Sequence, residues 1–387
     1  MNLVRLILRF ISSIFKTICQ AFVVPSRKEY QKLESKRTGT SSSSSGITSH
    51  HRSITPPYWV KSLSTEIHAD VTSTPLVSTM TLRQFLSHPD GFHLALAPAF
   101  YGYYAYFGAL LAIHEMDINC TGFYKSSDKI SILPVSSKAT PHAEQKVLLK
   151  SISGSSAGAL VATAIAFGSD PRDAVDFISS LTLGSIADPP GFLGIFRGYS
   201  VEKLITKFFQ GAEFKDTVIP VAVTAFDLLT RSTKIIDRGI IGRAVRASLS
   251  FPGLFQPVLY RNLIDASSLL PKTTLLIDGM IQDPHGLLGL SVLKSEARNK
   301  RVVNMVLGGF GGPPPGPSRL PNGVNAAEVV SICIKNTPEV SPLKMQNGPK
   351  AVRAAKEAVT DILDAPMYHG KEQGHYVLPI DASMFCY

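Results

Sequence analysis

An apolar run, Val147 to Ile152, leads into Gly154-Ser155-Ser156-Ala157-Gly158 and then into an alanine-rich stretch from Ala157 to Phe167 that Gly168 stops. The first run reads as a strand and the second as a helix. Joining the two so abruptly requires a strained turn with small residues where chain segments crowd, and a G-x-S-x-G turn places its central serine at the exposed apex. This unit commits the middle of the chain to an α/β arrangement. Apolar runs alternate with helical stretches around it: Phe92 to Leu96 as a strand, Tyr104 to Glu115 as a helix, and Ser169-Asp170-Pro171 as the cap opening another.

The chain has 387 residues, 44% of them hydrophobic and 18% charged, which suits one large domain with appendages. Cys19, Cys120, Cys333 and Cys386 are far apart and form no metal-ligand spacing, so no metal or disulfide framework is expected. The net charge of +10 is concentrated before residue 62, where ten basic residues face only Glu29 and Glu34 and so carry +8 of it. The remainder has no basic stripe interleaved with aromatics, which argues against nucleic acid and for an anionic membrane surface as the partner.

Three segments follow from composition. Residues 1–24 alternate Leu, Ile and Phe with Asn2, Arg5, Arg9, Ser12, Lys16 and Gln20 at three- and four-residue steps, the pattern of a basic amphipathic helix for membrane binding or targeting. Arg9 and Lys16 would sit at costly depth in a spanning helix. Residues 25–80 form a low-complexity linker with an unbroken serine run from Ser41 to Ser45, and 81–387 form the main domain, with a further inserted loop from Ser126 to Lys146. An intracellular, peripheral membrane location is expected, at a mitochondrion, plastid, endoplasmic reticulum or lipid droplet.

A serine hydroxyl attacks a carbonyl only when it is exposed, approached by a base and set beside donors for the developing oxyanion. Ser156 meets the first requirement, with Gly154 and Gly158 permitting the turn and Ala157 opening a helix whose first N–H groups face the reacting carbonyl. The base is open between two choices. His285, His369 and His375 lie downstream, as a Ser-His-Asp enzyme would require. Asp278 ends the apolar run Leu275-Leu276-Ile277 and precedes Gly279, which places a carboxylate at a strand tip where partial burial would make it basic. Phe100, Tyr101, Tyr103, Tyr104, Tyr106 and Phe107 divide between lining an acyl pocket and filling the core. Gly308 to Gly312 reads as a surface loop, because Pro313-Pro314-Pro315 forbids the helix that a phosphate cradle needs.

Gly154 to Gly158 together with Asp278-Gly279 resemble the Ser/Asp dyad of the patatin-like phospholipases. Arg246-Ala247-Ser248-Leu249-Ser250-Phe251-Pro252-Gly253-Leu254-Phe255-Gln256-Pro257-Val258 is similar to that family's stretch upstream of the aspartate, and Ala225 to Thr230 to one of its strand ends. Asp283-Pro284 resembles a family turn, and His285 beside it reads as a turn residue. These motifs span residues 92–290. The resemblance implies a three-layer α/β/α domain with a mostly parallel central sheet, a Ser156/Asp278 dyad without catalytic histidine, no cofactor, and fatty-acyl esters of phospholipids, lysophospholipids or neutral glycerolipids as substrate. Two departures are visible. The family's glycine-rich oxyanion loop reads here Ala97-Pro98-Ala99-Phe100-Tyr101-Gly102, so the N–H groups of Ala99, Phe100, Tyr101 and Gly102 become the candidate donors with Ala157, and Met280 stands where the family has a small residue. They motivate an alternative, a non-catalytic lipid-binding or scaffold protein on the same fold.

Overall fold

The computed structural model describes residues 76–115, 148–262, 272–293, 300–308, 313–341 and 344–386. The expected helix at 1–24, the linker up to residue 75, the 126–146 insertion, Cys19, Cys120 and Gly309 to Gly312 lie outside the described residues. Thirteen strands are present among the described residues: β1 (Val77–Thr81), β2 (Phe92–Leu96), β3 (Leu149–Ser155), β4 (Gly194–Phe196), β5 (Val221–Asp227), β6 (Ser232–Ile236), β7 (Gly253–Phe255), β8 (Val258–Asn262), β9 (Lys272–Asp278), β10 (Arg301–Leu307), β11 (Glu328–Lys335), β12 (Pro366–His369) and β13 (His375–Asp381). The helices are α1 (Leu82–Leu86), α2 (Tyr103–Glu115), α3 (Ala157–Ala166), α4 (Pro171–Ser179), α5 (Leu183–Ile186), α6 (Tyr199–Phe208), α7 (Ile241–Ser248) and α8 (Gly348–Ile362).

One large sheet organises them in the order β1-β12-β13-β11-β10-β2-β3-β5-β9-β8, with β6 also on β5. The six central strands from β13 to β5 run parallel, while pairing at both margins is antiparallel. Burial explains the difference. β2, β5 and β10 are buried at every residue, as parallel strands covered on both faces must be. This is the mixed α/β fold with a mostly parallel central sheet that the motifs imply.

Long helices cover one face. In α2 every residue except Glu115 is buried, because α8 lies against it with Ala351, Val352, Ala355, Ala358 and Val359 inward. The stripe is small-sided at helical spacing, which lets the two helices approach closely. Among the described residues the other face is thinner: Leu287, Leu290 and Val324, from short turns, pack on Ala95, Val302 and Val329.

Strands and helices fall close to the sequence expectations, with two shifts. Regular structure begins at Val77, inside the expected linker, since β1 pairs with β12. β3 continues three residues past Ile152, through Ser153 and Gly154 to Ser155. Serine-rich sequence does not advertise a strand, but Ser151, Ser153 and Ser155 alternate on one face, and Ser151 Oγ is bonded to His93 Nδ1 on β2 at 2.7 Å. The α4 cap is as expected, with Asp170 accepting from the Arg172 N–H at 2.8 Å and Pro171 in the first turn.

Candidate active site

Ser156 joins β3 to α3 with φ 54° and ψ −126°, a left-handed conformation that costs a non-glycine residue on the order of 1–3 kcal/mol. The strain is held by close packing around it. A Cβ on Gly158 would lie 2.2 Å from the Leu96 carbonyl oxygen and 2.7 Å from that of Ala97, and one on Gly154 would lie 2.4 Å from the Gly158 carbonyl oxygen. All three obstacles are backbone and cannot swing aside. Gly158→Ala is therefore expected to destabilise the fold by about 1–3 kcal/mol in urea titration and, by displacing the hydroxyl, to slow reaction of Ser156 with an active-serine probe by at least ~100-fold.

The Ser156 hydroxyl donates to Asp278 Oδ2 at 2.7 Å. Both residues are nearly enclosed, at 5% and 1% exposure. Asp278 ends β9, which runs antiparallel to β5 with Ala225 opposite Asp278; β5 in turn pairs with β3. One intervening strand thus sets the distance between hydroxyl and carboxylate. The second Asp278 oxygen accepts from the Met280 N–H at 2.9 Å. Burial raises the Asp278 carboxyl to about 7, and these two hydrogen bonds pull the other way. A carboxylate of that basicity, already on the hydroxyl, is suited to take its proton near neutrality. Gly279 packs so closely on β5 that an added Cβ would sit 2.2 Å from the Thr224 carbonyl oxygen. Met280 joins the site through its N–H, and its side chain is not among those lining the cavity above Ser156.

That cavity is apolar. Phe100, Tyr101 and Tyr103 form one wall, Phe177, Leu181 and Ile186 a second, and Leu249, Phe251, Leu254 and Phe255 a third, with Ser156 and Asp278 also at its surface. The aromatic cluster divides as follows. Phe100, Tyr101 and Tyr103 face the cavity, and Phe100 meets Phe251 edge-on at 4.5 Å, whereas Tyr104, Tyr106 and Phe107 are core. Tyr104 and Tyr106 satisfy their hydroxyls on the carbonyls of Ile178 and Met305.

On the oxyanion side, Ala157 is the first residue of α3, so its N–H has no acceptor within the helix. Phe100 begins a 3₁₀ turn, Phe100–Gly102, with φ 48°, and Ala99 precedes it. Gly102 departs from the expected donor role: its N–H donates to the Ala99 carbonyl at 2.6 Å. The turn closes on itself there.

Four further residues near the dyad carry roles that the sequence did not assign. Ser248 Oγ accepts from the Ser156 N–H at 2.8 Å and donates to the Thr224 carbonyl at 2.7 Å, tying the serine's backbone to β5. Thr224 Oγ1 donates to Asp283 at 2.9 Å; the buried Asp283 carboxyl also accepts from the N–H groups of Leu287 and Leu288 and is raised to about 6 by its burial. Arg246, also buried, spreads its guanidinium over the carbonyls of Gly198, Arg197 and Gln256 and the Ser250 hydroxyl, with the Phe255 ring 5.4 Å away. Arg246→Met leaves those acceptors unpaired, and a loss on the order of 3 kcal/mol is expected from urea midpoints. The signal for Ser248 and Arg246 lay in the family-like stretch that contains them.

Of the three downstream histidines none is hydrogen-bonded to Ser156, whose hydroxyl goes to Asp278, and the buried Nδ1 of His285 has no hydrogen-bond partner among the described residues. His375 Nε2 is 3.0 Å from Ser331 Oγ, His369 packs against Tyr376, and the His285 carbonyl accepts from Asn304 Nδ2 at 2.8 Å. Burial lowers the His285 ring to about 4. Among the described residues no three His, Cys, Asp or Glu side chains gather where they could hold a metal ion, and no helix is long and apolar enough to cross a membrane.

Residues 102–290 match the family model for patatin-like phospholipases. Uncharacterized NTE family proteins of Mycobacterium bovis and Mycobacterium tuberculosis are 32% identical over 120 residues, 30% of this chain and 20% of each relative. The match thus spans about one fifth of those relatives' length. Among solved structures, VipD from Legionella pneumophila aligns over 70% of this chain and 54% of its own at 14% identity and a TM-score of 0.32. A chain of the ExoU–SpcU complex from the Pseudomonas aeruginosa type III secretion system aligns over 73% and 54% at 14% identity and a TM-score of 0.28. The matched span includes both Ser156 and Asp278, and this chain carries a patatin-like phospholipase domain over residues 102–290.

Proposed function

We propose that the chain is a lipid acyl hydrolase that cleaves fatty-acyl esters through a covalent intermediate on Ser156, with Asp278 as the general base. The observation that carries this reading is the 2.7 Å hydrogen bond from the Ser156 hydroxyl to a buried carboxylate beside an apolar cavity. Asp278 Oδ2 accepts the hydroxyl proton as Oγ bonds to the ester carbonyl carbon. The negative charge that develops on the carbonyl oxygen is held by the Ala157 N–H and the positive end of α3, with Ala99, Phe100 or Tyr101 as the second donor. Collapse breaks the ester C–O bond, and the leaving alcohol or lysolipid takes the proton from Asp278. Water then attacks the acyl-serine, giving a proton to Asp278, and the fatty acid leaves as the proton returns to Ser156.

The cavity's apolar walls favour a long acyl chain over a polar acid. Phospholipids, lysophospholipids and neutral glycerolipids all present such an ester, at a membrane or droplet surface to which residues 1–24 would bring the domain. The direct test is a fluorophosphonate probe. Wild-type protein should be labelled and Ser156→Ala should not. A folded wild-type protein that is neither labelled nor able to hydrolyse short and long acyl esters would make this a non-catalytic member of the fold.

A further inference from the structure

Pro189-Pro190-Gly191-Phe192-Leu193-Gly194 is a run of six residues with no polar side chain, yet it lies outside the core. Phe192 is 92% exposed and Leu193 55%. Scattered exposed apolar residues are ordinary; adjacent ones held outward are not. This loop is pinned at several points. The Gly191 N–H donates to the Gly194 carbonyl at 3.0 Å, the Phe192 N–H to Gln256 Oε1 at 3.2 Å, and Arg197 donates from its N–H to the Pro189 carbonyl and from Nε to the Pro190 carbonyl, each at 3.2 Å. β4 follows at once and pairs with β7. Leu254 and Phe255 of β7 are in the wall of the acyl cavity, so the exposed tip and the cavity share one two-stranded ribbon.

The surroundings favour an anionic interface. Arg197 and Arg243 line the groove beside Phe192, with Tyr199 59% exposed near them, and Lys203 projects from α6. Glu202 and Arg243 pair at 3.4 Å and offset each other, and Asp188 accepts the N–H groups of Gly198 and Ser200, which leaves Arg197 and Lys203 to meet anionic headgroups. An apolar tip flanked by aromatic and basic side chains is the composition that settles at the headgroup boundary of a bilayer.

We infer that Phe192 and Leu193 form a rigid wedge by which the domain itself inserts into an anionic lipid surface, beside the cavity that receives the acyl chain. The role assigned to the neighbouring cavity rests on the lipid-ester reading; insertion does not require turnover. The test uses the full chain with its single tryptophan removed (Trp59→Phe) and a reporter placed at the tip (Phe192→Trp), in both wild-type and Ser156→Ala backgrounds. With vesicles of phosphatidylcholine and phosphatidylglycerol at 3:1, the reporter's emission should shift to the blue and be quenched by brominated acyl chains, equally in both backgrounds. Phe192→Asp/Leu193→Asp should lower vesicle partition by at least ~30-fold while hydrolysis of a water-soluble short-chain ester is unchanged. Vesicle-bound protein whose reporter emission stays unshifted and unquenched would overturn the wedge and leave attachment elsewhere in the chain. A blue shift that instead follows protein concentration without lipid, with dimers in sedimentation, would overturn it in favour of a second copy. Loss of ester hydrolysis in Ser156→Ala with quenching retained keeps the two readings separate.

Discussion

Ser156→Ala is expected to lower kcat/KM for acyl esters by at least ~10⁴-fold while leaving the fold intact, because its hydroxyl is the group placed to form the acyl intermediate. Removing the oxygen deletes one hydrogen bond to Asp278 and little packing, so the urea midpoint should move by no more than about 1 kcal/mol. Ser156→Gly should be equally silent. It should also be the more stable of the two by on the order of 1 kcal/mol, since glycine accepts the φ of 54° that alanine resists. Similar hydrolysis by wild type and both variants would remove Ser156 from the chemistry.

Asp278→Asn carries the second large effect, and it has opposite signs in activity and stability. The amide keeps the size of the side chain and can still accept from the Met280 N–H, but it cannot take a proton, so a loss of ~10³–10⁴-fold in kcat/KM is expected. In the wild type the base works only when ionised. Its rise to about 7 predicts that kcat/KM climbs roughly tenfold per pH unit below that value and levels above it. A carboxyl whose folded pKa is raised from 3.8 to about 7 stabilises the fold fully below 3.8, and that contribution is lost as pH rises through 7. The ceiling is on the order of 4 kcal/mol. Asp278→Asn should therefore gain over the wild type as pH rises from 4 to 8, with thermal midpoints converging near pH 4. Midpoint differences that do not change with pH would show that the fold does not raise the Asp278 carboxyl above its unfolded value.

The elbow and its strand–turn–helix frame were legible in sequence because they depend on local features: glycines where backbones touch, an apolar run before, an alanine-rich helix after. Asp278 was legible as a strand tip. Its proximity to Ser156 was implied only by the family resemblance, because it depends on β9 entering the sheet antiparallel to β5, a fact of topology that no local pattern encodes. Ser248 and Asp283 were opaque for a related reason. A serine in a helix and an aspartate before a proline each have ordinary local explanations, and only tertiary placement puts the Ser248 hydroxyl between the Ser156 N–H and the Thr224 carbonyl. The aromatic cluster divided at Tyr103 and Tyr104, where the short turn becomes a helix held between sheet and α8.

Ser156 and Asp278 are 122 residues apart in the chain and meet only across β5. During synthesis the serine leaves the ribosome long before the aspartate, so a nascent chain displays a hydroxyl with no carboxylate to deprotonate it. Side chains on β9 alternate between the two faces, so a one-residue slip against β5 would turn Asp278 away from Ser156. On the proposed mechanism, competence therefore waits on the β5–β9 pairing, and a chain that has not yet made it carries the serine without its base.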